Sequence, residues 1–427
     1  MGNLNKFQII VIGIVLLLVL TVVLITSGII PGLEEETDQP AKLTLWGFDE
    51  PAVWNEVLSA YRDVRSKVDI NYQQKNRESF EDELLNSISR GQSPDVIVFP
   101  SYDLGKHADK LSAAPPILIT EREIEQQYID AGRTFVTSEK HVLGIPLFAD
   151  ALILFYNKDL FTKSFITLPP ATWDEFLESA QKLTTKTPSG EISVAGAALG
   201  RAHNIKNAPL ILTSLFLQSG ERIIGNNNKV VLGEPIGPAE SAMRFFGDFA
   251  NQRKTSYTWS FALPEAADFF LAGKLGMYFG LMSEFDTLLT KNPHLVFSVS
   301  PIPTFTGAPR TATAGTLFAA AVPKASRNWR QAWSFAVFLG NKETAALYAE
   351  QARTVSVRRD VLPTYASDLV KSVFAKSVLS LALWPDPDTV KSDAILRTLI
   401  EEAAQGRLTI REALEKANAQ LSELIKQ

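Results

Sequence analysis

The strongest constraint on this chain is a regular alternation of short apolar runs with stretches of helical periodicity. "KLTLWGF" (Lys42 to Phe48) reads as a strand, and "AVWNEVLSAYRDV" after it places Val53, Val57, Tyr61 and Val64 on one helical face. "VDINYQQ" is a second strand. "SFEDELLNSIS" is a helix with Ser79 at its N-cap and Asp82 and Glu83 in its first turn. "DVIVFP" (Asp95 to Pro100) is a third, short apolar strand. Strands apolar throughout, each separated by a helix, suit a parallel sheet covered on both faces. The fold class is α/β.

The same style returns further along. Thr172-Trp173-Asp174-Glu175 has the form of a capping box, in which the threonine hydroxyl accepts from the third helical N–H and the glutamate reaches back. "ISVAGAAL" and "LGMYFG" read as strands, and "PLILTSLFLQSG" as a helix stopped by Gly220. "FSVSPIP" and "GTLFAAAVP" are further strands, followed by a helix at "NWRQAWSFAVFL". Thr409-Ile410-Arg411-Glu412 is a second capping box, opening an amphipathic helix with Leu414, Leu421 and Leu424 on one face. For 427 residues the prior is two or three domains.

One stretch is less easily placed. "GIPLFADALILFYNKDLF" (Gly144 to Phe161) is apolar for nearly its whole length, but Asp150 interrupts it. A membrane span needs about 20 apolar residues, and Asp150 leaves only Ala151 to Tyr156 uninterrupted. A buried strand, or an apolar strand that needs one acid, both remain open from the residues alone.

The membrane segment lies at the start. Phe7 to Leu33 carries no charge, and "IIVIGIVLLLVLTVVLI" is longer than the roughly 7–15 residues of a secretory h-region. Lys6 before it and Glu34-Glu35-Glu36 after it orient the N-terminus inward. The expectation is one N-terminal transmembrane helix at 7–33, a solvated linker at 34–41, and a body outside the cytoplasm. The rival is a cleaved signal peptide, for which Thr26-Ser27-Gly28 offers small residues.

Several functions are excluded or disfavoured. A net charge of −5 gives no broad basic surface for nucleic acid. The absence of cysteine removes disulfides, zinc-thiolate sites and cysteine nucleophiles. His107, His141, His203 and His294 are scattered without metal-ligand spacing, and no cofactor is expected. There is no G-x-S-x-G elbow, phosphate-binding glycine loop or H-E-x-x-H helix. Asp49-Glu50 could serve acid–base chemistry, but neighbouring acids are usually just solvated.

Aromatic residues do recur at strand ends: Trp46 and Phe48, Phe99 and Tyr102, Phe148, Phe318. Ligands of open α/β sheets bind outside the carboxyl ends of strands. Ring faces cover apolar C–H surface while carboxylates accept from hydroxyls, so the pattern suits a hydroxyl-rich ligand. For any one of these rings, core packing is the plainer explanation.

Taken in order, "LTLWGF", "SPDVIVFP", "GIPLFADALILFYNKDLF", "PPATWDEFLESAQKL", "FFLAGKLGMYFG", "VSPIPTF" and "AAQGRLTIREALEKANAQL" resemble the extracellular solute-binding proteins of bacterial ABC importers, the sugar and oligosaccharide type. The resemblance covers Lys42 to the C-terminus. It departs in the anchor, because such proteins are often lipidated on a cysteine that this chain lacks.

The resemblance implies a two-lobe periplasmic-binding-protein fold with discontinuous lobes joined by crossover strands. Lobe one would comprise 41–149 and 305–339, and lobe two 150–304 and 340–427. Crossovers would fall near Asp150 to Leu154, Ser300 to Thr306 and Phe338 to Thr344. Carried over residue by residue, lobe one would offer Trp46, Asp49, Glu50, Phe99, Tyr102, Asp103 and Phe318 to the ligand, and lobe two Gln218, Trp259, Ser283, Glu284 and Trp384. Asp150 would face the cleft between them, solvated when the cleft is open. Trp384 stands equally well as a wedge before Pro385-Asp386-Pro387. The implied function is carbohydrate capture by a monomer, without chemistry, and delivery to ABC permease subunits. The alternatives are a ligand-sensing subunit of the same fold and an extracellular glycan-acting enzyme.

Overall fold

The computed structural model describes residues 12, 15, 40–225, 229–234, 236–308 and 310–425. Apart from Ile12 and Val15, the expected anchor at 7–33 lies outside them, and so does most of the linker. No helix among the described residues is long and apolar enough to cross a membrane.

Among the described residues nine strands form the framework: β1 Ala41–Gly47, β2 Val68–Gln74, β3 Val96–Pro100, β4 Gly144–Asn157, β5 Thr185–Lys186, β6 Ile192–Ala197, β7 Leu275–Leu281, β8 Phe297–Ser300 and β9 Gly315–Ala321. Their order is β2-β1-β3-β9-β4-β7-β6-β5, with β8 also on β4. The parallel pairs expected from the apolar runs are β1–β2, β1–β3 and β6–β7. The sheet is nevertheless mixed, because β9 runs antiparallel between β3 and β4.

β4 settles the ambiguous stretch as a buried strand. From Gly144 to Ala151 it pairs with β9, and from Leu152 to Tyr156 with β7. A single strand of 14 residues thus belongs to both halves of the molecule. It is buried on both faces, which explains its unbroken apolar character. Asp150 sits one residue before the partners change.

Helices cover the sheet as their periodicity dictates. Pro51–Val64 buries Trp54, Val57 and Tyr61, and Trp54 stacks on Tyr72 of β2 with centroids 5.3 Å apart. Each such side chain contributes about 1.5–3 kcal/mol. Val64, expected on the same face, is 58% exposed because the helix ends there. Both capping boxes form: Thr172 Oγ1 accepts from Glu175 N at 3.2 Å, and Thr409 Oγ1 from Glu412 N at 3.3 Å. Ser79 does not cap a backbone amide. Its backbone is helical (φ −103°, ψ −2°), and its hydroxyl donates to Glu83 Oε1 at 2.6 Å.

At Phe338 to Thr344, the expected place of the last crossing, two helices meet. Gly340 and Asn341 only turn one helix into the next: Asn341 caps Lys342–Gln351, which packs on Pro51–Val64. Tyr128 and Arg358 both donate to the Gly340 carbonyl, and Ser356 bridges Phe148. The chain joins the second half with Leu369–Leu379, which packs on β4 and β8.

Candidate ligand-binding site

Two crevices flank the crossover strands. The smaller, about 150 Å³, lies against Phe148, Ala149 and Asp150 of β4. The larger, about 760 Å³, lies against Ala314, Gly315 and Thr316 at the start of β9.

The smaller crevice gathers loops from the C-terminal ends of several strands. Asp49 follows β1, Arg77 follows β2, and Ser283 follows β7, which is where ligands of α/β sheets bind. Asp150 is only 4% exposed, and it accepts from Ser283 N at 3.0 Å and Ser283 Oγ at 2.6 Å. This corrects the expectation of a solvated aspartate, because the serine opening Glu284–Lys291 encloses it. Asp49 Oδ2 accepts from Tyr348 Oη at 2.6 Å, while its backbone carbonyl accepts from Tyr72 Oη. Burial pushes both carboxyls above the usual range, opposed by those hydrogen bonds and by the Arg77 charge.

Aromatic packing supports these groups. Phe148 stacks on Phe318 at 4.6 Å and an interplanar angle of 10°. The Arg77 guanidinium lies 4.8 Å from the Phe318 centroid and 5.4 Å from that of Phe48. Its nearest acid is Asp150, at 3.9 Å. Arg77, Tyr348, Met282 and Arg353 were missed by the sequence reading. Arg77 is in a loop with no pattern, and Tyr348 was assigned to the other half.

In the larger crevice, Tyr102 from the first half faces the Trp384–Thr389 segment of the second. The two sides touch. Lys106 Nζ is 3.3 Å from Asp388 and 3.4 Å from Glu81, and His107 Nε2 is 2.8 Å from Glu81. A side chain at Gly105 would put its Cβ 2.4 Å from the Asp386 carbonyl oxygen, so only glycine allows this approach. Asp103 is buried beside it, and burial, aided by Glu81, lifts its carboxyl to about 6. Asp386 is likewise raised to about 6 by burial.

The sequence set therefore divides. Asp49, Asp150 and Ser283 meet in the smaller crevice, and Tyr102 and Trp384 line the larger. Phe318 is buried beneath Arg77, and Asp103 lies behind Tyr102. Glu50 is exposed outside both crevices. Phe99 is fully buried in β3. Trp46 is buried in β1 with Lys75 Nζ 3.9 Å from its ring. Three expected ligand groups hold the second half together instead. Gln218 donates to Pro303 and Ala312 carbonyls and accepts from Trp173 Nε1. Trp259 donates to Asn204 Oδ1 at 2.9 Å. Glu284 accepts from Leu281 N, Asn207 Nδ2 and Tyr278 Oη. Buried polar groups need such partners, so a polar residue near a strand end need not face a ligand.

The family model for bacterial extracellular solute-binding proteins matches residues 47–346. This chain belongs to that family. A Brucella abortus chain named as a binding protein is 23% identical over 308 residues, covering 72% of this chain and 73% of that one. The fold matches the cyclic alpha-maltosyl-1,6-maltose binding protein of Arthrobacter globiformis with TM-score 0.76 at 17% identity, over 91% of this chain and 99% of that one. It also matches an ABC transporter solute-binding protein of Thermotoga lettingae bound with α-D-tagatose, with TM-score 0.68 at 21% identity, over 90% of this chain and all of that one. As a member of a solute-binding family, the protein is a binding protein rather than an enzyme.

Proposed function

We propose that this solute-binding protein captures a sugar or oligosaccharide outside the cytoplasm and passes it to an ABC permease. The observation that carries the reading is the smaller crevice. Asp49, Asp150 and Ser283 converge on it from both halves, beside an aromatic floor, at strands that connect those halves. Motion about such crossovers closes two lobes around a ligand. Proteins of the same fold that bind tagatose and cyclic maltosyl-maltose support the ligand class.

Melting curves and titration calorimetry across a saccharide panel test this, on wild type and Asp150→Asn. A ligand at 100 times its dissociation constant adds about 2.7 kcal/mol of stability. Charge-assisted hydrogen bonds are worth about 1.5–3 kcal/mol, so Asp150→Asn weakens binding about tenfold or more. A lowered melting point with an intact ligand-induced shift makes Asp150 purely structural.

The uncharged run from Phe7 to Leu33 supports a retained single-pass tether with the N-terminus cytoplasmic. Membrane fractionation with N-terminal sequencing checks it. A soluble mature chain beginning between Gly28 and Glu36 overturns the tether.

A further inference from the structure

We infer that Arg77 and Arg353 make the smaller crevice selective for an acidic saccharide, taking the carboxylate of a uronic acid residue. The inference rests on the carbohydrate reading and concerns which sugars are chosen.

The crevice is lined by three acids, Asp49, Asp150 and Asp286, and two arginines. Formally the acids exceed the arginines by one charge, but three of their oxygens already accept hydrogen bonds within the protein. Both oxygens of Asp150 take bonds from Ser283, and Asp49 Oδ2 takes one from Tyr348. Asp286 is half exposed to solvent.

The arginines are in the opposite condition. Among the described residues Arg77 makes no side-chain hydrogen bond, and its ion pair to Asp150 is 3.9 Å long. Its guanidinium lies over the Phe318 and Phe48 rings, and its side chain is 44% exposed. Arg353 likewise makes no side-chain hydrogen bond there, with Asp286 3.6 Å away. Its backbone is left-handed at φ 52°. Of the three non-glycine residues with positive φ among the described residues, only Arg353 lines either crevice at the crossover. That conformation closes the helix Lys342–Gln351 in a Schellman turn, with Arg353 N donating to the Glu350 carbonyl and Thr354 N to that of Ala349. Two guanidinium forks with open donors suit a carboxylate, which they can bind bidentately. A uronate carboxylate supplies the acceptors that those donors lack.

The test titrates the full-length protein with galacturonate and glucuronate, their disaccharides, the matching neutral sugars and glucose 6-phosphate. We expect uronates to bind at least tenfold more tightly than their neutral counterparts. Arg77→Gln and Arg353→Gln should each cut that preference about tenfold. Arg77→Lys, which keeps the charge but loses the fork, should fall between. Neutral sugars binding as tightly as uronates would overturn the inference and leave carbohydrate capture standing. Glucose 6-phosphate binding without uronates would overturn the carboxylate assignment, and no saccharide binding at all would overturn both readings. Should Arg77→Gln fail to fold, Arg353→Gln carries the test, since Arg353 is 78% exposed.

Discussion

The two crevices beside the crossover strands differ in what their charged groups are doing. In the larger, ion pairs already run from one half to the other: Lys106 joins Asp388, and Gly105 receives the Asp386 backbone. In the smaller, the acids are bonded within the protein while the arginines have donors to spare. The first arrangement holds two halves together, and the second waits for a partner. Volume alone would have chosen the larger. The state of the hydrogen bonds favours the smaller.

That contrast is sharpest in the aromatic rings. Phe318 is fully buried under Arg77, packed on Phe148 and 5.9 Å from Phe48. Trp384, in the larger crevice, is only partly buried. Phe318→Ala should therefore cost about 3–5 kcal/mol of stability, as large-to-small core substitutions do. Trp384→Ala should cost under 1 kcal/mol by the same reckoning, because solvent replaces part of what it touches. Urea denaturation of both variants checks this. Equal losses would mean that the larger crevice is as much part of the core as the smaller one's floor.

The framework was legible in the sequence wherever periodicity carried it. Each apolar run from Lys42 to Pro100 is a strand, and both Thr-x-x-Glu boxes cap helices. The antiparallel insertion of β9 was not legible, because "GTLFAAAVP" is buried on both faces and reads alike in either direction. Gly340-Asn341 has the composition of a linker and the geometry of a helix–helix turn.

The site was legible in part. Asp150 stands out because one acid breaks an apolar strand, and the structure puts that acid where the strand changes partners. Gln218, Trp259 and Glu284 were indistinguishable from ligand groups, since their partners are backbone carbonyls, amides and side chains remote in sequence. Arg77 and Arg353 carry no local signal at all. An arginine in a left-handed conformation is visible only once the backbone is known.

The smaller of the two expected stability effects tests whether the larger crevice is built to hold the halves together. Asp103 and Asp386 flank the contact between the halves, and burial raises both carboxyls to about 6. In the unfolded chain an aspartate titrates near 3.9. Between about pH 4 and 6 these two carboxyls hold more protons in the folded protein than in the unfolded chain, so their contribution to stability falls as pH rises. The contribution is fully present below about pH 4 and is lost as pH passes 6. For Asp103, only 7% exposed, it is on the order of 2 kcal/mol. The neighbouring Lys106–Asp388 pair works the other way, since acid protonates its carboxylate, but that pair is partly exposed and is worth under about 1 kcal/mol. Asp103→Asn should flatten the decline between pH 4 and 6, and Asp386→Asn should flatten it further. Added salt should shrink only the ion-pair part, because the carboxyl shifts come chiefly from burial. Urea midpoints measured from pH 4 to 7.5 at low and high salt read this out. Asp103→Asn and Asp386→Asn profiles that run parallel to wild type through that window would mean that these acids are solvated and that the halves do not meet at Gly105 in solution.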